Sequence, residues 1–178
     1  LRVIEFASLG PGPYCSMLLS DLGADVLRLD RAVTDAGGRP AQLDPMNRGR
    51  RSVGIDLKHP DAAAFALDLI TRTDVLIEGM RPGVMERLGL GPDVAQARNP
   101  QLIYGRMTGW GQNGPNARLP GHDINYIATT GVLAGVGRSE GGPVPPLNLV
   151  GDYGGGMMLA FGIMAALFER SRSNAGQV

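Results

Sequence analysis

The sequence contains one cysteine, Cys15, and two histidines among its 178 residues. A single cysteine cannot form an intramolecular disulfide, and it excludes metal sites built from several thiolates. The chain also lacks an excess of either charge, because 17 basic side chains balance 17 acidic ones. No overall basic field would therefore attract nucleic acid or an acidic membrane surface, and any anionic ligand must be held by local cations.

Long apolar runs are absent as well. The most apolar stretch, Met157–Phe168, is about half of the roughly 20 residues that a membrane-spanning helix needs. The sequence has no serine nucleophile elbow, no P-loop and no H-E-x-x-H zinc motif, which weighs against hydrolases, kinases and zinc enzymes. We expect a cytoplasmic protein with no metal, no nucleic-acid partner and no membrane partner.

Strand and helix patterns alternate through the first hundred residues. A β-rich run at 1–6, a helical pattern at 14–22 and a strand at 25–29 form a β-α-β unit, which implies parallel strands. A helix at 60–72 continues the alternation, with further strands at 52–56, 74–78 and 102–106. With 43% apolar residues, the sequence predicts an α/β fold: an open, doubly wound, mostly parallel Rossmann-like sheet with helices on both faces.

Glycine, proline and polar residues dominate from about 108 to 156, and loops of this composition commonly shape a functional site. Helices are predicted at 124–132 and at 156–170, and the second is apolar enough to be buried on most sides. A further polar loop is predicted between Val33 and Arg50.

Several arginines follow predicted strands, at the edge where open α/β sheets bind ligands. Arg31 follows the second strand, where a guanidinium suits a ribose phosphate because it can donate two parallel hydrogen bonds. Arg81 and Arg87 follow the strand that ends at Glu78. Taken alone, Arg31 is equally well explained as a solvated surface charge, and for Arg81 or Arg87 taken alone a solvated charge is the better explanation. The turn Gly10–Pro13 matches a dinucleotide-binding loop poorly, since Cys15 stands at the third glycine position.

Two side chains are candidates for acid/base chemistry. His122 stands at a predicted helix start, where a neutral imidazole would be placed to act as a base. Asp152 precedes the long apolar helix and is either its N-cap or a catalytic carboxylate. The glycines around Asp152 would let a substrate approach closely and would offer N–H groups to a developing oxyanion.

Three segments together carry a family resemblance: Gly121–Tyr126, Pro145–Asp152, and Asp74–Gly79 with the Arg81-Pro82-Gly83 turn that follows. They resemble the α-methylacyl-CoA racemases of the family III CoA-transferase superfamily, over essentially the whole chain. The resemblance implies that His122 and Asp152 act on opposite faces of a 2-methylacyl-CoA thioester, exchanging its α-proton through an enolate and interconverting the R and S forms. No cofactor is implied, since coenzyme A is part of the substrate.

The resemblance also implies the binding residues. Contacts to coenzyme A are expected from Arg31, Ile55, Asp56, Leu57, Lys58, Gly79, Met80, Arg81 and Arg87. The thioester would be bordered by Gly121, Asp123, Ile124, Asn125 and Tyr126.

The same resemblance implies a domain organisation. Residues 1–178 would form the CoA-binding domain, with catalytic loops at about 108–156, as the N-terminal large-domain part of a longer protein. A second small domain, and the carboxylate that orients the histidine, would lie beyond Val178. The full-length protein is expected to be an interlocked homodimer.

Two other functions stay open. A CoA-transferase of the same superfamily would use Asp152 as a nucleophile and form an acyl anhydride with it. His122 favours the racemase, because transferases of this type generally carry a residue other than histidine there. The third possibility is a truncated, noncatalytic CoA-binding module. The sequence does not specify the acyl chain.

Overall fold

The computed structural model describes residues 1–32 and 44–178. Residues 33–43, which make up most of the loop predicted between Val33 and Arg50, lie outside the described residues. Within the described part the chain forms a five-stranded sheet of order β3-β2-β1-β4-β5, in which every neighbouring pair is parallel. The strands are β1 (Arg2–Phe6), β2 (Asp25–Arg31), β3 (Arg50–Ile55), β4 (Val75–Glu78) and β5 (Ile103–Arg106).

Helices connect the strands, as the doubly wound prediction requires. Those described are α1 (Pro11–Asp21), α2 (Ala62–Ile70), α3 (Val84–Arg87), α4 (Pro92–Arg98), α5 (Asp123–Thr129) and α6 (Gly154–Ser173). Short 3₁₀ turns lie at Pro45–Asn47 and Val132–Gly135, and a π-helical turn, Leu149–Tyr153, leads directly into α6.

Several predicted helix boundaries differ from the structure by two or three residues, including those of the helices predicted at 60–72 and 156–170, and two of the differences have a clear local cause. The first helix begins at Pro11 rather than at Tyr14, because the fixed φ of proline suits the first helical turn. The helix predicted at 124–132 ends at Thr129, and Gly131, with a φ of 82°, separates it from the following 3₁₀ turn.

The core consists of two apolar layers, one on each face of the sheet. One layer packs Ile4, Phe6, Leu76 and Tyr104 of the sheet against α2 and α4. On the other face, Val3, Val26 and Ile77 pack against Cys15 and Leu19 of α1 and Ile163 of α6. Because alternate residues of a strand point to opposite faces, the central strand β1 contributes to both layers.

A buried ion pair interrupts the second layer. Glu5 of β1 is fully buried and pairs with Arg50, whose side chain is 1% exposed. Arg50 also donates to the carbonyl oxygen of Met46 and to Asn47 Oδ1. Burial, together with the nearby charge of Glu5, raises the pKa of the Cys15 thiol to about 12. Cys15 is therefore an inert core residue.

The prediction that the long apolar helix is buried on most sides was wrong. Within α6 only Gly156 and Ile163 are buried, whereas Met158 is 66% exposed and Phe161 is 69% exposed. Composition indicates an apolar helix but cannot show how many sides neighbouring elements cover.

In the described part of the chain, the continuous helix Leu149–Ser173 also has the length and composition to cross a membrane, contrary to the estimate from the uninterrupted apolar run.

Candidate active site

The candidate site lies where the strand order reverses. The chain leaves β1 toward β2 and β3 but leaves β4 toward β5, so the crevice beyond the carboxyl ends of β1 and β4 is the usual ligand position in such sheets. The loops after these two strands approach closely there. A methyl group at Gly79 would lie 2.7 Å from Ser8 Oγ, and one at Gly12 would lie 2.8 Å from it. Glycine at both positions therefore leaves room for the Ser8 side chain between the loop after β1 and the loop after β4.

The structure brings together two groups of predicted CoA contacts at the ends of β2 and β3. Arg31, the last residue of β2, stands in register with Ile55, the last residue of β3. Asp56 then accepts a hydrogen bond from the Lys58 backbone N–H at 3.0 Å, which turns the chain away from the sheet with Leu57 partly buried beneath it. Arg31 and Lys58 are exposed at this edge.

The loop after β4 carries a second set of predicted contacts, Gly79–Arg81 and Arg87. Glu78 fixes its start by accepting the Met80 N–H at 2.7 Å and by pairing with Arg106 at 3.1 Å. Burial raises the pKa of Glu78, while the Met80 and Arg106 hydrogen bonds act against that rise. Arg81 and Arg87 are exposed, and neither they nor Arg31 form an ion pair within residues 1–32 and 44–178.

His122 is the N-cap residue of α5 and is exposed. Its backbone N–H donates to Asn125 Oδ1 at 2.9 Å, which fixes the start of the helix. Tyr126, one turn further on, packs edge-to-face against Trp110 with ring centroids 5.0 Å apart. A methyl group at Gly121 would lie 2.7 Å from the Tyr126 ring, so the glycine before His122 allows this aromatic pair to form. The neighbouring Ile124 is exposed.

Asp152 lies in the π-helical turn and faces the start of α1. A methyl group at Gly10, the N-cap of α1, would lie 3.4 Å from Asp152 Cγ. The carboxylate thus stands next to the positive end of α1, and its Oδ2 accepts a hydrogen bond from Asn148 at 3.3 Å. Burial, together with the charge of Asp152, raises the pKa of Tyr126.

Asp123 joins the two candidate acid/base residues. It follows His122 in the chain, and its buried Oδ2 accepts the backbone N–H groups of Gly151 at 2.5 Å and Asp152 at 2.9 Å. The segments that carry His122 and Asp152 are therefore in direct contact. The same bonds correct one expectation: these two N–H groups are occupied, and so is that of Tyr153, which donates to the Asn148 carbonyl. The glycine-rich turn does not present them freely to an oxyanion.

A protein-family model covers the whole chain. The model described as CoA-transferase family III matches residues 1–178. The chain belongs to CoA-transferase family III.

The curated relatives that match the chain are named for more than one activity. The chain is 50% identical to human alpha-methylacyl-CoA racemase over 179 residues, covering all of this chain and 46% of the human protein. It is 39% identical to a probable fatty acyl-CoA transferase of Mycobacterium tuberculosis, covering 99% of this chain and 48% of that protein. The chain spans about half the length of these curated relatives.

Solved structures of the family share the fold. The crystal structure of Rv3272 from M. tuberculosis superposes with a TM-score of 0.87 at 39% identity, covering 100% of this chain and 50% of that one. A CAIB/BAIF family protein from Brucella suis gives a TM-score of 0.89 at 29% identity, covering 99% and 50% of the two chains. These TM-scores confirm the predicted α/β fold. Nearly all of this chain aligns with about half of each solved chain, so it corresponds to one part of a longer family member.

Sequence reasoning missed two contributors to the site. Gly10 was interpreted as part of a plain turn, and its contact with Asp152 joins residues 142 positions apart, which no local pattern reveals. Asp123 was expected to border the thioester, whereas its buried carboxylate binds the backbone before and at Asp152. The only available signal was its position directly after His122.

Proposed function

We propose that the full-length protein is a racemase of 2-methylacyl-CoA thioesters, in which His122 and Asp152 are the two acid/base groups. The observation that carries the proposal is the contact between their segments through Asp123, beside a sheet edge with exposed arginines. The 50% identity to the human racemase supports the same assignment.

In the proposed reaction one group removes the α-proton and the other delivers a proton to the opposite face of the planar enolate. Racemisation needs such a pair because a single base would return the proton to the face from which it came. General acid–base groups of this kind typically contribute about 10²–10⁴-fold in rate. The chemistry involves only proton transfers, so we propose that no cofactor beyond the coenzyme A of the substrate takes part.

Coenzyme A would bind along the carboxyl edge of the sheet. Its ribose phosphate and diphosphate need cations, and Arg31, Arg81 and Arg87 are exposed there without a described ion-pair partner. The backbone of Ile55–Lys58 and Gly79–Met80 would line the nucleotide. The thioester would then extend toward Gly121–Tyr126. We also propose a cytoplasmic homodimer as the working form of the full-length protein.

Gly10 provides a test of the geometry around Asp152. Gly10→Ala places a methyl group 3.4 Å from the Asp152 carboxyl carbon and forces a non-glycine residue to a φ of 70°. With a ψ of −115° the Gly10 backbone lies in a region that residues other than glycine rarely adopt, so we expect alanine there to cost about 1–3 kcal/mol of stability. The main chain must shift beside the Asp152 carboxylate to relieve this strain, and we expect that shift to lower the racemisation rate as well.

Gly89→Ala is the matched control, because Gly89 has the same φ of 70° and open space around its α-carbon. Both variants should unfold at lower temperature, and only Gly10→Ala should lose rate per folded molecule. Equal rates in the two variants would contradict the assigned contact.

CoA transfer is the second candidate function, favoured by the transferases among the relatives. In that reaction Asp152 would attack the thioester carbonyl carbon, expel the coenzyme A thiolate and form a mixed anhydride. Transfer makes no use of a second base, whereas racemisation gives His122 a defined role.

An acceptor experiment separates the two functions. The full-length protein is incubated with one enantiomer of a 2-methylacyl-CoA and an excess of a free carboxylic acid, and the products are resolved by chiral chromatography and mass spectrometry. We expect racemised thioester and no CoA ester of the added acid. Formation of the new CoA ester with the original configuration retained would favour the transferase.

A further inference from the structure

We propose that Asp123 is a positioning residue for Asp152: its buried carboxylate replaces the missing helix cap of the turn that carries Asp152. The inference rests on the proposed racemase function and assigns a separate role within it. Asp123 is 3% exposed, so its carboxylate is not available as a third acid/base group at the surface of the site.

The need for a cap arises from the helix that contains Asp152. The continuous helix starts at Leu149, and the first N–H groups of any helix have no partner within it. Its N-cap residue, Asn148, makes no side-chain cap bond and instead donates to the Asp152 carboxylate. The N–H groups of Gly151 and Asp152 are therefore satisfied from α5, by Asp123 Oδ2.

These bonds fix the main chain at the reacting residue itself. Hydrogen bonds from an N–H to an ionised carboxylate are shorter and about twice as strong as neutral ones, and two of them converge here on one oxygen. Gly151 permits the approach, since a methyl group there would lie 3.1 Å from Asp123 Oδ2. Without Asp123, the α-carbon of Asp152 would lose its anchor to the segment that carries His122.

The contacts of Asp123 are asymmetric with respect to the two acid/base residues. Its described hydrogen bonds go to Gly151 and Asp152, whereas the His122 backbone is held by Asn125. Loss of the Asp123 carboxylate should therefore displace Asp152 more than His122. A merely structural role would weaken both sides equally, because it would lower only the fraction of folded protein.

The test measures α-proton exchange separately for the two enantiomers. Full-length wild type, Asp123→Ala, Asp123→Asn and the exposed control Asp93→Ala are each incubated in heavy water with pure R or pure S thioester. Initial rates of deuterium uptake are normalised to the concentration of CoA-binding sites found by titration, which corrects for misfolded protein. Asp152→Ala identifies the enantiomer whose proton Asp152 removes. Exchange is measured because a change in racemisation rate must appear in both directions.

In Asp123→Ala we expect exchange of the Asp152-dependent enantiomer to fall by about 10²-fold, the loss typical of a 1 Å misplacement, and exchange of the other to change far less. Asp123→Asn keeps an acceptor oxygen and should show the same asymmetry with a smaller loss. If Asp123→Ala does not fold, the asymmetry between the two enantiomers is tested with Asp123→Asn alone. Equal losses for both enantiomers, or wild-type rates in both variants, would overturn the positioning role. Absence of exchange in the wild type would instead overturn the proposed function.

Discussion

Replacing Asp152 with asparagine should lower the racemisation rate of the full-length protein by about 10²–10⁴-fold, the usual contribution of a general acid–base group. The amide has nearly the shape of the carboxylate, so it can still lie against Gly10, but it can neither take nor return the α-proton. Affinity for coenzyme A should stay close to wild type, because the described contacts of the Asp152 carboxylate are with Gly10 and Asn148 and not with the arginines proposed to bind the phosphates.

The Asp152→Asn result becomes specific when it is compared with two histidine variants. His122→Ala should lose racemisation to a similar extent, whereas His59→Ala should not, since exposed His59 accepts the Asp61 N–H on the loop leading to α2. Chiral chromatography of the thioester after incubation gives all of these rates. Wild-type racemisation in Asp152→Asn would show that another group removes the proton.

The second large effect concerns the buried ion pair under α1. Glu5→Ala should lower the free energy of unfolding by about 3–5 kcal/mol, because it leaves the Arg50 guanidinium, 1% exposed, without its counter-charge. Replacing both partners in Glu5→Leu/Arg50→Met should cost less than the single change, since no unpaired charge remains in the core. Urea unfolding of each variant measures the difference.

The exposed pair Arg51–Asp25 is the matched control on the same sheet. Its atoms are 2.6 Å apart, yet its side chains are 73% and 57% exposed, so Arg51→Ala should cost at most about 1 kcal/mol. A similar cost for Glu5→Ala and Arg51→Ala would mean that water reaches Arg50 and that the pair is not buried in solution.

The fold could be predicted from the sequence because the patterns that indicate each strand and each helix are local. Alternating strand and helix patterns in the first hundred residues imply parallel strands with helices on both faces, and the sheet order bears this out. Errors arose where one local signal had two physical meanings. Gly10–Pro13 was interpreted as a turn before the first helix, although proline is equally suited to a helix start.

The sequence could suggest candidate residues for the site but not the contacts that support them. His122 and Asp152 were selected as candidate acid/base groups from residue type, local surroundings and the family resemblance, and their roles stay a prediction. The contacts that hold Asp152, from Gly10 and from Asp123, come from segments distant in sequence. The exposure of Phe161 and Met158 on α6 could not be predicted either, since composition does not show which sides of a helix have neighbours.

Isotope incorporation tests the central proposal most directly. One enantiomer of a 2-methylacyl-CoA is incubated with the full-length protein in heavy water, and the α-carbon is followed by NMR and chiral analysis. The two-base account predicts that one deuterium enters at the α-carbon while the configuration is lost, and that both events disappear in the His122→Ala/Asp152→Ala double variant. The two-base account would be contradicted if coenzyme A moved from the 2-methylacyl group to a second carboxylic acid while no deuterium entered at the α-carbon and the configuration was retained.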